Sequence, residues 1–294
     1  MASSFICGDT PKFPCTLVLM ELLQKAGLSA YVGKVNMDRN SPEFLIEETN
    51  QSLADTKVWL DTSAQFGPLV KPIITPRFVP SCTSELMTGL AKLAKEYDVP
   101  VQSHLSENHG EIDWVASLHP ESSNYTDVYY EHHLMGTVPT VMAHCIHLSD
   151  VEMDRMAETQ TMVSHCPYSN VNLSSGIAPI RKLIERNIPI GLGSDISGGH
   201  IVSMAKVLTE AIGLSKMKWA EVDPNYAPLT LSEAFYMATK GGGQFFGHVG
   251  SFEKGYELDA LIIDDTSLFD PNERSLEERL ERWLYVGDDR HIIE

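Results

Sequence analysis

At 294 residues, with 43% hydrophobic and 21% charged positions, the chain has the make-up of a soluble globular protein built as one large α/β domain or two ordinary ones. A formal net charge of -18 argues against a nucleic-acid surface, which needs clustered Lys and Arg, and no apolar run approaches the ~18 residues of a membrane helix. Five scattered cysteines (Cys7, Cys15, Cys82, Cys145, Cys166), without a C-x-x-C pair, argue against a disulfide framework and for a reducing cytosol.

In chain order, residues 5–7 read as a strand that begins almost at once. Residues 15–26 carry Leu17, Met20, Leu23 and Ala26 at helical spacing, with Gly27 as the stop. Residues 30–35 are a strand, and the polar stretch 36–56 is a long loop or irregular helix. A strand over 71–75 runs into Pro76-Arg77-Phe78, and Ser81 and Thr83 offer caps for a helix bearing Leu86, Leu90 and Leu93. The run 98–101 reads as a buried strand leading into His104 and Glu107, and Trp114, Val115 and Leu118 suggest a helix after it.

Further strands are predicted over 140–143, 161–164 and 188–193, with helices over 151–158 and 180–186. In the tail, 229–235 is a helix capped by Thr230 or Ser232 and ended by Gly241 to Gly243. Residues 256–264 read as a strand, 276–283 as a helix and 284–286 as a last strand-like run.

Seven strands alternating with helices argue for a parallel α/β sheet. Arg77, His104, His144, His165 and Asp195 each fall at or just after the end of a different strand. An open sheet gathers such residues at one switch point, whereas a (βα)8 barrel brings all strand ends to one mouth, and five such ends favour the barrel.

His104 and Glu107 lie in Val101-Gln102-Ser103-His104-Leu105-Ser106-Glu107-Asn108, where a histidine can hold a metal and a glutamate can move protons over it. By itself H-x-x-E is a weak pattern. For a lone Gly-Ser-Asp a turn is the ordinary explanation, but Asp195 sits in a glycine-rich strand-end loop that admits close approach by a ligand. His144, His104 and Asp195 together suit zinc or iron(II), with Glu107 as acid/base. His147 reads as structural, and His165 divides evenly between supporting that site and packing. No G-x-S-x-G elbow, Walker A loop, kinase set or cytidine-type deaminase signature is present.

The strings VKPIITPRF, VQSHLSEN, VMAHCIHLS, SHCPYSNVNLSSG, IGLGSDISGG and LYVGDDRHIIE closely resemble those of the guanine deaminase family within the amidohydrolase superfamily, over nearly the whole chain. The resemblance implies a zinc-dependent TIM-like (βα)8 barrel, a cytoplasmic homodimer that hydrolyses guanine to xanthine and ammonia, with no nucleic-acid or membrane partner. It implies His104, His144 and Asp195 around Zn2+, with His144 as ligand or polariser. Asp195 takes a proton from the attacking water, and Glu107 protonates the purine. Arg77 and Phe78 would bind the base, beside His104, Glu107 and Asp195.

The family's first-strand H-x-H pair has no counterpart here, since His104 is the first histidine. The expectation is a barrel (residues 1–245) that begins at its second strand and has an incomplete zinc site and impaired activity. Residues 246–294 would be a remnant of a small β-sandwich. The alternatives are a non-catalytic truncated isoform or fragment that pairs with full-length subunits, or another amidohydrolase acting on an aminated heterocycle.

Overall fold

The first regular element of the computed structural model, which describes residues 14–268 and 270–293, is the helix α1 (Pro14–Lys25), closed by Gly27 at φ 70°. The strand expected at residues 5–7 lies outside the described residues. Contacts divide the chain into two compact units, Met1–Met162 and Val163–Glu294.

In the first unit every ladder is parallel. β1 (Ala30–Val32) pairs with β3 (Val70–Pro72), and β2 (Val35–Asn36) with β4 (Thr75–Pro76). The expected strand over 30–35 is therefore broken in two. At the break, a Cβ on Gly33 would lie 2.8 Å from the Ile73 carbonyl and run into the Thr75 side chain, so the two backbones can approach only at glycine. Lys34, next in the chain, is buried and gives its ammonium to both oxygens of Glu47 at 2.8 and 3.0 Å.

Ile74 bridges in parallel to Val101, which opens β5 (Val101–Leu105), and β5 pairs with β6 (Thr140–His144). β5 begins at Val101 rather than at residue 98, because Asp98 takes the left-handed conformation (φ 51°) that ends the preceding helix. With β1 and β2 taken as one broken strand and β3 and β4 as the next, neighbours in the ladders are neighbours in the chain. Ile73, Ile74, Leu86, Leu90, Val101 and Leu105 are fully buried and form the middle of this core.

The crossovers are α2 (Thr49–Ser63), α3 (Ser84–Tyr97, capped by Thr83), α4 (His109–Leu118), α5 (Tyr125–Glu131) and α6 (Asp150–Glu158). α2 overturns the expected irregular stretch. Its buried positions are Ser52, Thr56, Trp59, Leu60 and Ser63, so the helical period is written partly in hydroxyls that a hydrophobicity reading passes over. Thr56 and Ser63 return their hydroxyls to backbone carbonyls of their own helix, and Ser52 donates to Glu47, which makes that face dry enough to bury.

From Val163 on, in the second unit, β7 (Met162–His165) pairs in parallel with β8 (Ile190–Leu192). Around them run α7 (Pro167–Asn172), α8 (Ile180–Glu185), α9 (Met204–Glu221), α10 (Leu231–Tyr236) and α11 (Leu276–Val286). α9 was not foreseen. Thr230 caps α10, which widens into a π turn, Met237–Gly241, and ends at Gly243, within the glycine run expected to stop it. Residues 256–264 form no strand beyond one antiparallel bridge, Ile263 to Ile292, and residues 284–286 are the last turn of α11.

Cys82, Cys145 and Cys166 are buried thiols, whereas Cys15 is disulfide-bonded, so not every cysteine is the thiol that their scatter suggests. Among the described residues no helix is long and apolar enough to cross a membrane.

Candidate active site

Parallel strands end in loops at one edge of the sheet, and five predicted residues of the first unit are placed there. Arg77 and Phe78 directly follow β4, His104 is the fourth residue of β5, Glu107 lies in the turn before α4, and His144 ends β6. The Arg77 backbone amide donates to the Asn36 carbonyl at 3.1 Å, which fixes the chain where it leaves the sheet. The Arg77 guanidinium lies 5.1 Å from the centre of the Phe78 ring, and Phe78 meets Trp114 edge to face with ring centres 6.3 Å apart.

His104 Nδ1 is 2.8 Å from the Arg77 carbonyl oxygen. A carbonyl can only accept, so the ring proton sits on Nδ1 and the lone pair on Nε2, the nitrogen that can ligate a metal. The His104 and His144 rings stack at 5.4 Å, and Nε2 of buried His144 is 3.7 Å from Oε2 of Glu107. The structure therefore brings His104, Glu107 and His144 together, with Arg77 joined to them through its carbonyl.

Asp195 belongs to the second unit, just beyond β8, with φ 44°. Its carbonyl accepts from the Gly199 amide at 2.6 Å, and a Cβ on Gly198 would lie 2.6 Å from Asp195 Oδ2 and from Ser169 Oγ. Asn172 of α7 donates to the Gly198 carbonyl at 2.7 Å, tying the loop down. The glycines after Asp195 thus make room for its carboxylate as well as bending the chain. His165 is buried, and the Gly193 amide donates to its carbonyl at 2.8 Å.

Beneath the first-unit residues lies a buried polar cluster that the sequence reading passed over. Tyr129 donates to the His104 carbonyl at 2.8 Å and meets Ser103 Oγ at 2.7 Å, and Ser103 Oγ also donates to the Pro76 carbonyl at 2.8 Å. The Tyr125 hydroxyl donates to Glu111 Oε1 at 2.6 Å, while Glu111 Oε2 accepts the Glu107 amide at 2.9 Å. Burial pushes the Glu111 carboxyl up, against the hydrogen bond from Tyr125, and holds the Tyr125 phenol well above its usual range. The spacing of Asn108 and Glu111 has the form of a helix-capping pair, the one signal that would have drawn attention to this cluster. His147, read as structural, packs its ring 4.0 Å from that of His109.

Among the described residues no group of three or more His, Cys, Asp or Glu side chains gathers into a metal cluster. In donor chemistry the residues do fit zinc: His104 has the ligand tautomer fixed by a carbonyl, and His144 adds an imidazole stacked beside it.

The amidohydrolase family profile matches residues 6–293. The chain belongs to the amidohydrolase family. Among amidohydrolases it is 45% identical to the guanine deaminase of Dictyostelium discoideum, covering 94% of this chain and 62% of that protein. It is 40% identical to the guanine deaminase of Mus musculus, covering 95% of this chain and 64% of that one. The crystal structure of a guanine deaminase from C. acetobutylicum with guanine bound in its active site superposes with a TM-score of 0.93 at 52% identity, covering 97% of this chain and 68% of that one. This amidohydrolase thus spans less than two thirds of the length of the Dictyostelium and mouse proteins.

Proposed function

We propose that this chain is the guanine-binding and proton-handling part of a guanine aminohydrolase, converting guanine and water to xanthine and ammonia. The observation that carries the reading is Glu107 held 3.7 Å from His144, beside His104, in a chain 52% identical to a guanine deaminase with guanine bound.

The reaction adds water at C2 of guanine and expels the amino group. Addition loads negative charge onto the ring unless the adjacent ring nitrogen is protonated, and Glu107 supplies that proton. Asp195 takes the proton released by the attacking water. As the C2 carbonyl forms, Glu107 takes up the proton of the C2 hydroxyl and passes it to the departing amine, and the proton on Asp195 returns Glu107 to its acid form, so the proton count closes. Arg77 offers a planar fork to the O6 and N7 acceptors of guanine, and Phe78 stacks on the purine face, with His104, Glu107 and Asp195 around it. His104, His144 and Asp195 would hold Zn2+, which when bound supplies an acidified water at neutral pH.

On this reading the parallel units belong to a TIM-like (βα)8 barrel covering residues 1–245, with residues 246–294 contributing to a small β-sandwich, in a cytoplasmic homodimer. The test is ammonia release from a panel of guanine, adenine, cytosine and a triazine, with zinc content measured on the same samples. Release from guanine ahead of the others supports the reading. A preference for another heterocycle, or zinc-loaded protein with no release from any of them, overturns it.

A further inference from the structure

Among the described residues, four helix starts have a glutamate at the third helical position that turns back on its own cap, and one of the four departs from the pattern. Glu152, Glu233 and Glu278 accept the backbone amide of their capping residues Ser149, Thr230 and Ser275 at 2.9, 2.9 and 2.8 Å. This is the ordinary reciprocal arrangement. At the start of α4 the cap is Asn108, yet Glu111 is 3.4 Å from its amide and only 2.9 Å from the amide of the residue before it, Glu107. The carboxylate has been drawn one residue further back than helix capping requires.

Its other oxygen shows where the restraint comes from. Glu111 Oε1 accepts the Tyr125 hydroxyl at 2.6 Å, the Tyr125 and Tyr129 rings stack at 5.7 Å, and Tyr129 donates to the His104 carbonyl at 2.8 Å. Between His104 and Glu107 stands Ser106 at φ 50°, and its carbonyl accepts the Ile146 and His147 amides, both at 3.1 Å. The backbone that carries Glu107 is therefore bent into an unfavourable conformation and pinned from both sides.

The geometry points to Glu111 as a positioning residue for Glu107, its two oxygens joining the Glu107 amide to the tyrosine pair that also holds His104. Glu111 does not touch substrate. It fixes how far the Glu107 carboxyl stands from His104 and His144, and for a proton-transferring group a displacement of about 1 Å costs on the order of a hundredfold in rate. The role assigned to Glu107 rests on the guanine aminohydrolase reading, whereas the bond from Glu111 to its amide does not.

The test compares the parent chain with Glu111→Ala, Glu111→Gln and Tyr125→Phe, reading kcat and KM for guanine and amide hydrogen exchange at residues 105–108. Glutamine keeps one oxygen for the Glu107 amide and turns its NH2 towards the Tyr125 oxygen, so it is the rescuing variant. Glu111→Ala is expected to lower kcat about tenfold to a hundredfold with KM within about threefold, and to speed exchange at Glu107 and Asn108. Glu111→Gln should stay within about threefold of the parent, and Tyr125→Phe should fall between them. If alanine at this position does not fold, Tyr125→Phe carries the comparison.

Variants with the kcat of the parent, or with exchange faster only along α4 and unchanged at Glu107, would reduce Glu111 to a helix cap. If the parent releases no ammonia from guanine, the functional reading falls while the exchange comparison still decides the positioning one.

Discussion

His144 stacks its ring on His104 although the register of β5 and β6 assigns the two to opposite faces. Leu105 is paired with His144 and His104 with Ala143, so in a regular strand His144 would share the face of Leu105. The left-handed backbone at His144, φ 70°, turns its side chain across to His104, and Cys145 follows at φ 52°. Two consecutive non-glycine residues in this region cost of order 1–3 kcal/mol each, the kind of strain that collects at functional sites. Its product here is a histidine aimed at Glu107.

Replacing the acid tests that arrangement most directly. Glu107→Gln keeps the size of the side chain and removes its proton, so ammonia release from guanine should fall about a hundredfold or more while guanine binding stays within about tenfold. Steady-state rates and equilibrium binding of guanine on the same preparation separate the two. A variant that turned over normally would remove Glu107 from the mechanism.

The ion pair of Lys34 and Glu47 has side chains only 1% and 7% exposed. Glu47→Ala strands a buried ammonium and should destabilise the fold by roughly 3–5 kcal/mol, whereas the double replacement Lys34→Met with Glu47→Leu should recover most of that loss. Urea midpoints of the three proteins decide it, and equal midpoints for the single variant and the parent would contradict the burial.

Arg181 grips Glu233 with two nitrogens at 2.6 and 2.9 Å. The guanidinium holds the Glu233 carboxyl down to about 2, against an ordinary value of 4.5. Because the folded value is the lower one, the unfolded chain takes up the proton first as acid is added. Stability from this pair is whole above pH 4.5 and is lost as the pH falls towards about 2. The difference in urea midpoint between the parent and Glu233→Gln should therefore shrink from about pH 5 to about pH 3, and a constant gap would show the pair to be inert.

Gly198→Ala places a methyl group 2.6 Å from the Asp195 carboxylate without asking for a forbidden backbone angle. On the guanine aminohydrolase reading, the expected result is a folded protein with ammonia release from guanine down about tenfold or more, because the carboxylate assigned to the attacking water is pushed aside. Circular dichroism and ammonia release check the two halves separately.

Burial pushes the Cys82 thiol up to about 12, so it should resist alkylation in the native protein and react only on unfolding. Mass spectrometry after brief exposure to iodoacetamide, with and without denaturant, reads this out, and native labelling at Cys82 would contradict the structure.

What the sequence could show of this fold depended on where its signals were apolar. β6 ends within one residue of its expected place, whereas β5 runs four residues past its expected end at residue 101 and takes in His104 itself. Arg77, His104 and His144 stood out because they lie at or just after the ends of short apolar runs. α2 was hidden because Ser52, Thr56 and Ser63 carry part of its buried face. The stretch 256–264 alternates like a strand, yet Leu258 and Leu261 are 78% and 61% exposed, and alternation without a partner surface makes no sheet. The turn that brings His144 to His104 left little trace in residue type, since histidine, though enriched in the left-handed region, still enters it uncommonly, and Cys145 is not a residue that favours it. Glu111 was invisible for a similar reason: a capping glutamate looks the same whether it holds its own helix or its neighbour's amide.

The π turn at Met237–Gly241 bears on how this chain is compared with others. Each residue of an α-helix advances the face by about 100°, so a turn widened by one residue moves everything after it to a neighbouring face. A single-residue deletion there would restore a regular helix and carry Gly242 away from Gly191, whose Cα lies 3.6 Å from where a Gly242 Cβ would stand. Of the three consecutive glycines, Gly242 is the one whose added Cβ would meet Gly191, so a slip by one residue pairs the wrong glycine with β8. Gly242, seated against Gly191, is the position from which to anchor the comparison.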